Sequence, residues 1–230
     1  MNIMNPQARL IPTAGLAYIL VGGRSRRFGQ DKALVSIGGE IHLVRLAGQL
    51  HRDGFEVVIV SQRNQDYQSL GLRQIFDHHP DAGPLAGMIA ALSDCKRQER
   101  KHCWVVTCDL LEWRPEWGSI CQKQKTLDTE FERSGCGAVA AVFDSEGFAP
   151  FPGIYAVSVL DTAVESWNAG NRSMKGLHQL LEGRVTKFAI EPGLAPRSFN
   201  TQQELADLLK EQHSSPGSAW EGNAPEAPAS

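Results

Sequence analysis

Apolar residues in this chain fall into short blocks that switch between two periodicities. The runs at 16–21, 56–60 (EVVIV), 104–108 and 138–143 (AVAAVF) are almost continuously apolar. Turn residues or charges bound them, the pattern of strands buried on both faces. Weaker runs predict strands at 73–76 and 185–190. Elsewhere apolar positions recur every three or four residues. Leu43, Leu46, Ala47 and Leu50 predict a helix over 41–50, and similar spacing predicts helices at 158–167, 173–181 and 201–210. Another begins at Pro84 in PLAGMIAAL, because proline at the first helical position gives up an N–H that would lack a partner anyway. Strands alternating with helices predict an α/β fold, a mostly parallel sheet with helices on both faces.

The ends read differently. Residues 1–14 show no periodicity and contain Pro6 and Pro12, a flexible lead-in. Residues 211–230 are rich in Ser, Pro, Gly and Ala and have little apolar surface to bury, so a disordered tail is expected. A single domain over 15–210 remains, without internal repeats.

No apolar run approaches the roughly 18 residues of a membrane span, and the N-terminus lacks the basic and apolar regions of a signal peptide. A cytoplasmic chain with no membrane partner is expected. Its five cysteines are odd in number and never spaced CxxC. Buried reduced thiols are therefore expected rather than disulfides or a zinc site. A formal net charge of −3 gives nucleic acid no global attraction. The local balance is different: from Gly22 to Lys32, Arg24, Arg26, Arg27 and Lys32 oppose Asp31 alone. Positive charge gathered in one loop predicts an anionic ligand.

That loop, LVGGRSRRFGQDK, follows the first strand, where an open parallel sheet binds its ligands. Gly22 and Gly23 let backbone N–H groups approach phosphate oxygens, and Arg24 supplies a fork suited to them. The loop contains neither GxxxxGK[ST] nor GxGxxG, so Walker and dinucleotide sites are excluded. Asp77, after the strand at 73–76, and Asp109, after the strand at 104–108, fall on the same rim if the sheet is parallel. A carboxylate facing a triphosphate makes sense with Mg²⁺ between them. Adjacent His78 and His79 point apart on an extended chain and read as loop residues without catalytic duty.

The stretch LVGGRSRRFGQDKAL resembles the N-terminal signature of the molybdenum cofactor guanylyltransferases, with Val21 and Phe28 as mild departures. Asp77 before Gly83-Pro84-Leu85-Ala86-Gly87, and Cys108-Asp109 after a strand, resemble two further segments of that family. The resemblance implies a three-layer, Rossmann-like nucleotidyltransferase fold. It also implies nucleotide contacts at Leu20, Val21, Gly22, Ser61 and Asp77, phosphate neutralisation by Lys32, and Mg²⁺ on Asp109. Lys32 and Asp109 would be the catalytic pair. Leu110-Leu111 stands where the family has a proline two residues after the aspartate. Phe151–Tyr155 resembles a family strand that lacks its usual preceding histidine, Ala149 standing there.

Gly170–Met174 resembles a family segment in which Arg172 would bind the anionic acceptor, with Ser173 also suited to cap a helix. Asn200 is the surviving asparagine of an Asn-x-Asn-Thr motif, with a binding role implied by the resemblance. The implied reaction moves GMP from GTP to molybdopterin or its molybdenum form and releases pyrophosphate. Protein partners would be cofactor-biosynthesis proteins or molybdoenzyme chaperones. Two alternatives stay open: a cytidylyl- or sugar-phosphate nucleotidyltransferase of the same fold, or a GTP-binding accessory protein without turnover. The Gly22-Gly23 pair favours the guanylyl reading.

Overall fold

The computed structural model describes residues 15–22, 28–63, 65, 67–77, 79, 83–117, 140–143, 148–188 and 191–214. Seven strands form one sheet: β1 (Gly15–Leu20), β4 (Phe55–Ser61), β5 (Arg73–Phe76), β6 (His102–Thr107), β7 (Ala140–Phe143), β8 (Gly153–Ala156) and β9 (Val185–Phe188). Their order is β5-β4-β1-β6-β8-β7-β9. Strand β1 lies parallel to β4 and β6, β4 to β5, and β7 to β9; β8 is antiparallel to both β6 and β7. The sheet is thus mostly parallel, as the alternating pattern predicts. A two-stranded hairpin, β2 (Ser36–Ile37) and β3 (Glu40–Ile41), stands apart. It turns on Gly38 and Gly39 at φ 62° and 85°. Its strands are too short to show a period in the sequence.

The alternation within β1 explains the layers. Leu16, Tyr18 and Leu20 face one core with Leu85, Met88 and Leu92 of α2 (Pro84–Arg97), Val159 and Ala163 of α3 (Val159–Asn168), and Leu177 of α4 (Met174–Leu180). Ala17, Ile19 and Val21 face the other, with Leu43, Leu46, Ala47 and Leu50 of α1 (His42–Arg52). Helices therefore cover both faces, and β1 is buried from both sides. Beside α1, Trp104, Trp113 and Trp117 meet edge to face at 5.0 and 5.3 Å between ring centres. Such contacts suit the positive edge and negative face of aromatic rings. The last helix, α5 (Gln202–Ser214), runs past residue 210. It contributes Leu205 to a third cluster with Phe28, Val35, Ile37, Leu111 and Phe199.

Pro84 opens α2 as expected, and Ser173 caps α4, its Oγ accepting from Gly176 N at 3.0 Å. Thr201 caps α5 in the same way, its Oγ1 accepting from Glu204 N at 3.1 Å. Cys95, Cys103 and Cys108 are buried and form no disulfide; Cys121 and Cys136 lie outside the described residues. Among the described residues no helix is long and apolar enough to cross a membrane.

One buried carboxylate ties the edge of the sheet to α2. Asp94, 4% exposed, accepts two hydrogen bonds from Arg73 (3.0 and 2.9 Å) and one each from Tyr18 Oη (2.7 Å), Arg97 (3.0 Å) and Gln98 (2.8 Å). Burial alone would raise its pKa. The Tyr18, Arg73 and Gln98 hydrogen bonds and the Arg73 charge outweigh burial and hold it below the ordinary carboxylate value. Its stability contribution is therefore complete above the unfolded carboxyl pKa of about 3.9 and is lost as pH falls through the lower folded value. Replacing Asp94 by Asn should cost roughly 3 kcal/mol at neutral pH, the low end for a broken buried pair, because Arg73 is itself 42% exposed. Urea denaturation of the variant and the parent at pH 7 and pH 3 measures this, and the gap should narrow at the lower pH.

Candidate functional site

The parallel arrangement brings the carboxyl ends of β5, β4, β1 and β6 to one rim. Two backbone hydrogen bonds align them, Val21 N to Val60 O (2.7 Å) and Cys108 N to Leu20 O (3.1 Å). Leu20, Val21 and Gly22 end β1 at the centre of this rim. Gly22 has φ 153°, where a side chain is strained, and a Cβ there would meet nothing closer than Gln65 Oε1 at 3.9 Å. Its glycine thus answers a backbone need rather than crowding. That Gln65 oxygen is buried and has no hydrogen-bond partner among the described residues. Gly87 serves a different end, since a Cβ on it would lie 3.2 Å from Leu20 Cδ2. Its absence lets the first turn of α2 settle against the tip of β1.

Gly23 and Arg24, with Arg26 and Arg27, lie outside the described residues. The chain is described again from Phe28, buried in the third cluster. Asp31 caps a single 3-10 turn (Lys32–Leu34): its Oδ1 accepts from Ala33 N at 3.0 Å, and its Oδ2 accepts from Tyr67 Oη at 2.6 Å. Held in this way, the turn directs Lys32 at the other end of the chain. Lys32 Nζ donates to the Phe199 carbonyl (3.2 Å) and to Asn200 Oδ1 (3.0 Å).

The segment carrying Asn200 is itself strapped to the residues that follow β6. Leu111 N donates to Arg197 O (2.8 Å), Phe199 N donates to Asp109 O (3.0 Å), and Leu110 bridges Ser198 antiparallel. Lys32, Asp109 and Asn200, from three distant parts of the sequence, therefore share one place. Thr107 Oγ1 donates to Asp109 Oδ1 at 2.6 Å and fixes that carboxylate.

Beneath the strap lies His42, fully buried, its Nε2 donating to Cys108 O at 3.1 Å and its ring edge-on to Phe199 at 5.2 Å. Burial, then the Arg45 charge, pushes its pKa down to about 4, so the ring is neutral at physiological pH. Arg45 donates to Leu111 O at 3.2 Å. Burial, then the Asp109 carboxylate, pushes the Cys108 thiol up to about 12, so it stays protonated and is no nucleophile.

The other expected residues divide. Asp77 follows β5, its N–H donating to Ser61 O at 2.9 Å, and so reaches the same rim. Ser61 ends β4 fully buried; its Oγ donates towards Gln62 O (3.2 Å) and Gln65 O (3.3 Å) and accepts from Gln74 Nε2 (2.6 Å). Its hydroxyl thus serves the loop after β4. Arg172 is exposed, its guanidinium 4.7 Å from the centre of the Trp167 ring. His79 stacks on the same Trp167 at 4.5 Å. His78 lies outside the described residues. Asp31, His42, Thr107 and Trp167 are the contributors the motifs did not single out. An Asp before a short apolar turn is a legible cap, whereas His42 and Trp167 look like ordinary helical positions.

A cation at this rim would find few donors. Among the described residues no three His, Cys, Asp or Glu side chains gather to hold a metal. That donor set fits Mg²⁺, which takes one or two carboxylates and completes its shell with substrate phosphates and water. It does not fit a resident transition metal.

Comparison with known proteins agrees with this geometry. Residues 17–187 match the family of the MobA-like NTP transferase domain. A probable molybdenum cofactor guanylyltransferase of Opitutus terrae is 32% identical over 158 residues, 68% of this chain and 74% of the relative. The molybdenum cofactor guanylyltransferase of Pseudomonas putida is 32% identical over 200 residues, 82% of this chain and 94% of the relative. Among solved structures, molybdopterin-guanine dinucleotide biosynthesis protein A of Archaeoglobus fulgidus superposes with a TM-score of 0.65 at 22% identity. The match covers 86% of this chain and 98% of that one, and it shows a shared fold.

The neutral His42 makes a pH-dependent prediction. A buried imidazole held below its ordinary pKa contributes stability that is complete above about pH 6.5 and is lost as pH falls towards about 4. Urea denaturation of the parent between pH 7 and pH 4.5 should show declining stability. The His42→Leu variant should show a shallower decline, even if it is less stable at pH 7, because His178, also lowered by burial, keeps its share of the slope.

Proposed function

The chain belongs to the family of MobA-like NTP transferases, and we propose that it transfers GMP from GTP to the terminal phosphate of molybdopterin or its molybdenum form. One observation carries the assignment of roles: Lys32 and Asn200 are bonded directly, and the segment bearing Asn200 is bonded to the backbone of Asp109. The ammonium of Lys32 is thus held by the segment strapped to Asp109 at the end of the central strands, and a triphosphate would lie there. The names of the two guanylyltransferase relatives support the choice of base and acceptor.

In this reading an oxygen of the acceptor's terminal phosphate attacks the α-phosphorus of GTP in line. The new P–O bond forms as the bond from the α-phosphorus to the bridging oxygen breaks, and pyrophosphate leaves with that electron pair. Such a reaction asks for positioning and charge stabilisation more than for covalent chemistry from the protein. The Gly22 region lets the backbone approach the phosphates. Lys32, its ammonium held by the Phe199 carbonyl and Asn200 Oδ1, gives its remaining N–H to the departing pyrophosphate. Asp109, with one oxygen held by Thr107, would carry Mg²⁺, and Asp77 would contact the nucleotide. The ion, when bound, offsets phosphate charge. The protonated Cys108 thiol fits a direct transfer with no covalent enzyme intermediate. Arg172, set on Trp167, would face the anionic acceptor.

Pyrophosphate release measured separately from GTP and CTP, with Mg²⁺ and molybdopterin, tests the proposal. Release from GTP alone is expected, reduced at least a hundredfold in Asp109→Asn (about 2.7 kcal/mol) with the thermal midpoint preserved. Release from CTP would move the chain to a cytidylyl reaction at the same site. GTP binding without release from either nucleotide would make it an accessory protein.

A further inference from the structure

An open cleft of about 840 Å³ runs along α2 and reaches the rim at Arg63, Phe76 and His79. Three successive residues of β5, Gln74, Ile75 and Phe76, line it. Successive strand side chains point to opposite faces, so a cleft touched by all three follows the backbone edge of the strand. Strand β5 ends the sheet and, among the described residues, pairs only with β4. Its outer edge is therefore a row of backbone donors and acceptors without a ladder partner.

The opposite wall runs along α2 from Ala86 to Arg97. At 1.5 Å per residue that is about 16 Å, the length of about five extended residues. Ile75, Ile89 and Ala90 are half-buried and form an apolar floor. Arg63 and Lys96 stand exposed at its margins with no ion pair among the described residues. Nearby Arg73 and Arg97 share the single buried Asp94, with Glu56 3.9 Å from Arg73. Four cations against three carboxylates, the third being Asp77 between Phe76 and His79, leave this flank positive on a chain whose formal net charge is −3.

We infer that this cleft docks an extended acidic and apolar segment of a partner polypeptide, which adds as a strand to the outer edge of β5. Backbone hydrogen bonds to β5 supply affinity, alternate apolar side chains settle on Ile75 and Ile89, and acidic side chains reach Arg63 and Lys96. Docking there places the partner next to the rim without covering Lys32, Asp109 or Asn200. The inference stands apart from the choice of nucleotide and acceptor.

The test uses the full chain without nucleotide and a fluorescein-labelled Glu-Val-Glu-Val-Glu peptide, read by fluorescence anisotropy, with Lys-Val-Lys-Val-Lys as the comparison. The acidic peptide is expected to bind at least tenfold more tightly than the basic one. An Arg63→Glu/Lys96→Glu double variant should lose at least tenfold in affinity while keeping its pyrophosphate release. Hydrogen exchange should slow at the β5 amides when the acidic peptide is bound. Equal binding of both peptides, no binding, binding unchanged in the double variant, or unaltered β5 exchange would each overturn the inference. So would self-association through this edge in the absence of peptide, which would make the occupant a second copy of the chain.

Discussion

The site depends on a short antiparallel strap. Two backbone hydrogen bonds, Leu111 N to Arg197 O and Phe199 N to Asp109 O, lay the segment before the last helix against the residues that follow the central strand β6. Without them Asn200 has no fixed relation to Asp109, and Lys32 loses both of its acceptors. The strap is anchored in apolar surface: Phe199 is fully buried among Phe28, Val35, Ile37, Leu111 and Leu205. From below, the neutral His42 holds Cys108 O, and Arg45 holds Leu111 O. Packing, a buried imidazole and two backbone bonds thus fix one polar cluster assembled from residues 167 or more positions apart between its ends.

The strap also gives a physical account of the two leucines after Asp109. A proline two residues on, at the position of Leu111, would have no N–H, and here that N–H is the donor to Arg197 O. Leu111 is buried as well and joins the cluster under the strap. The departure from the family pattern therefore coincides with an added backbone bond, and Asp109 keeps its place at the strand end.

Much of this was legible in the sequence because strands and helices here carry clean periods. The alternation of β1 between two cores follows from apolar residues at every position from 16 to 21, and Pro84, Ser173 and Thr201 mark helix starts by chemistry alone. The rim was legible through Gly22, Lys32 and Asp109. Contacts between distant segments were not. Nothing local to Asn200 says that it meets Lys32, and nothing local to Trp167 says that His79 and Arg172 both lie on it. Ser61 sits at the strand end, where the motif puts it, but the network that takes its hydroxyl to Gln74 leaves no local mark in the sequence. The Asp94 network was equally hidden, because an Asp inside an amphipathic helix looks like a solvated position until Tyr18 and Arg73 are brought to it.

The central claim is that Lys32 and Asn200 act as one unit beside Asp109. A double-mutant cycle on kcat/KM for GTP, with Lys32→Ala, Asn200→Ala and both together, measures it most directly. Coupling of at least about 1 kcal/mol is predicted, because side chains in direct contact are not additive; the double variant should be little worse than Lys32→Ala alone. Strictly additive losses would mean that the two side chains serve the reaction independently, and would contradict the account.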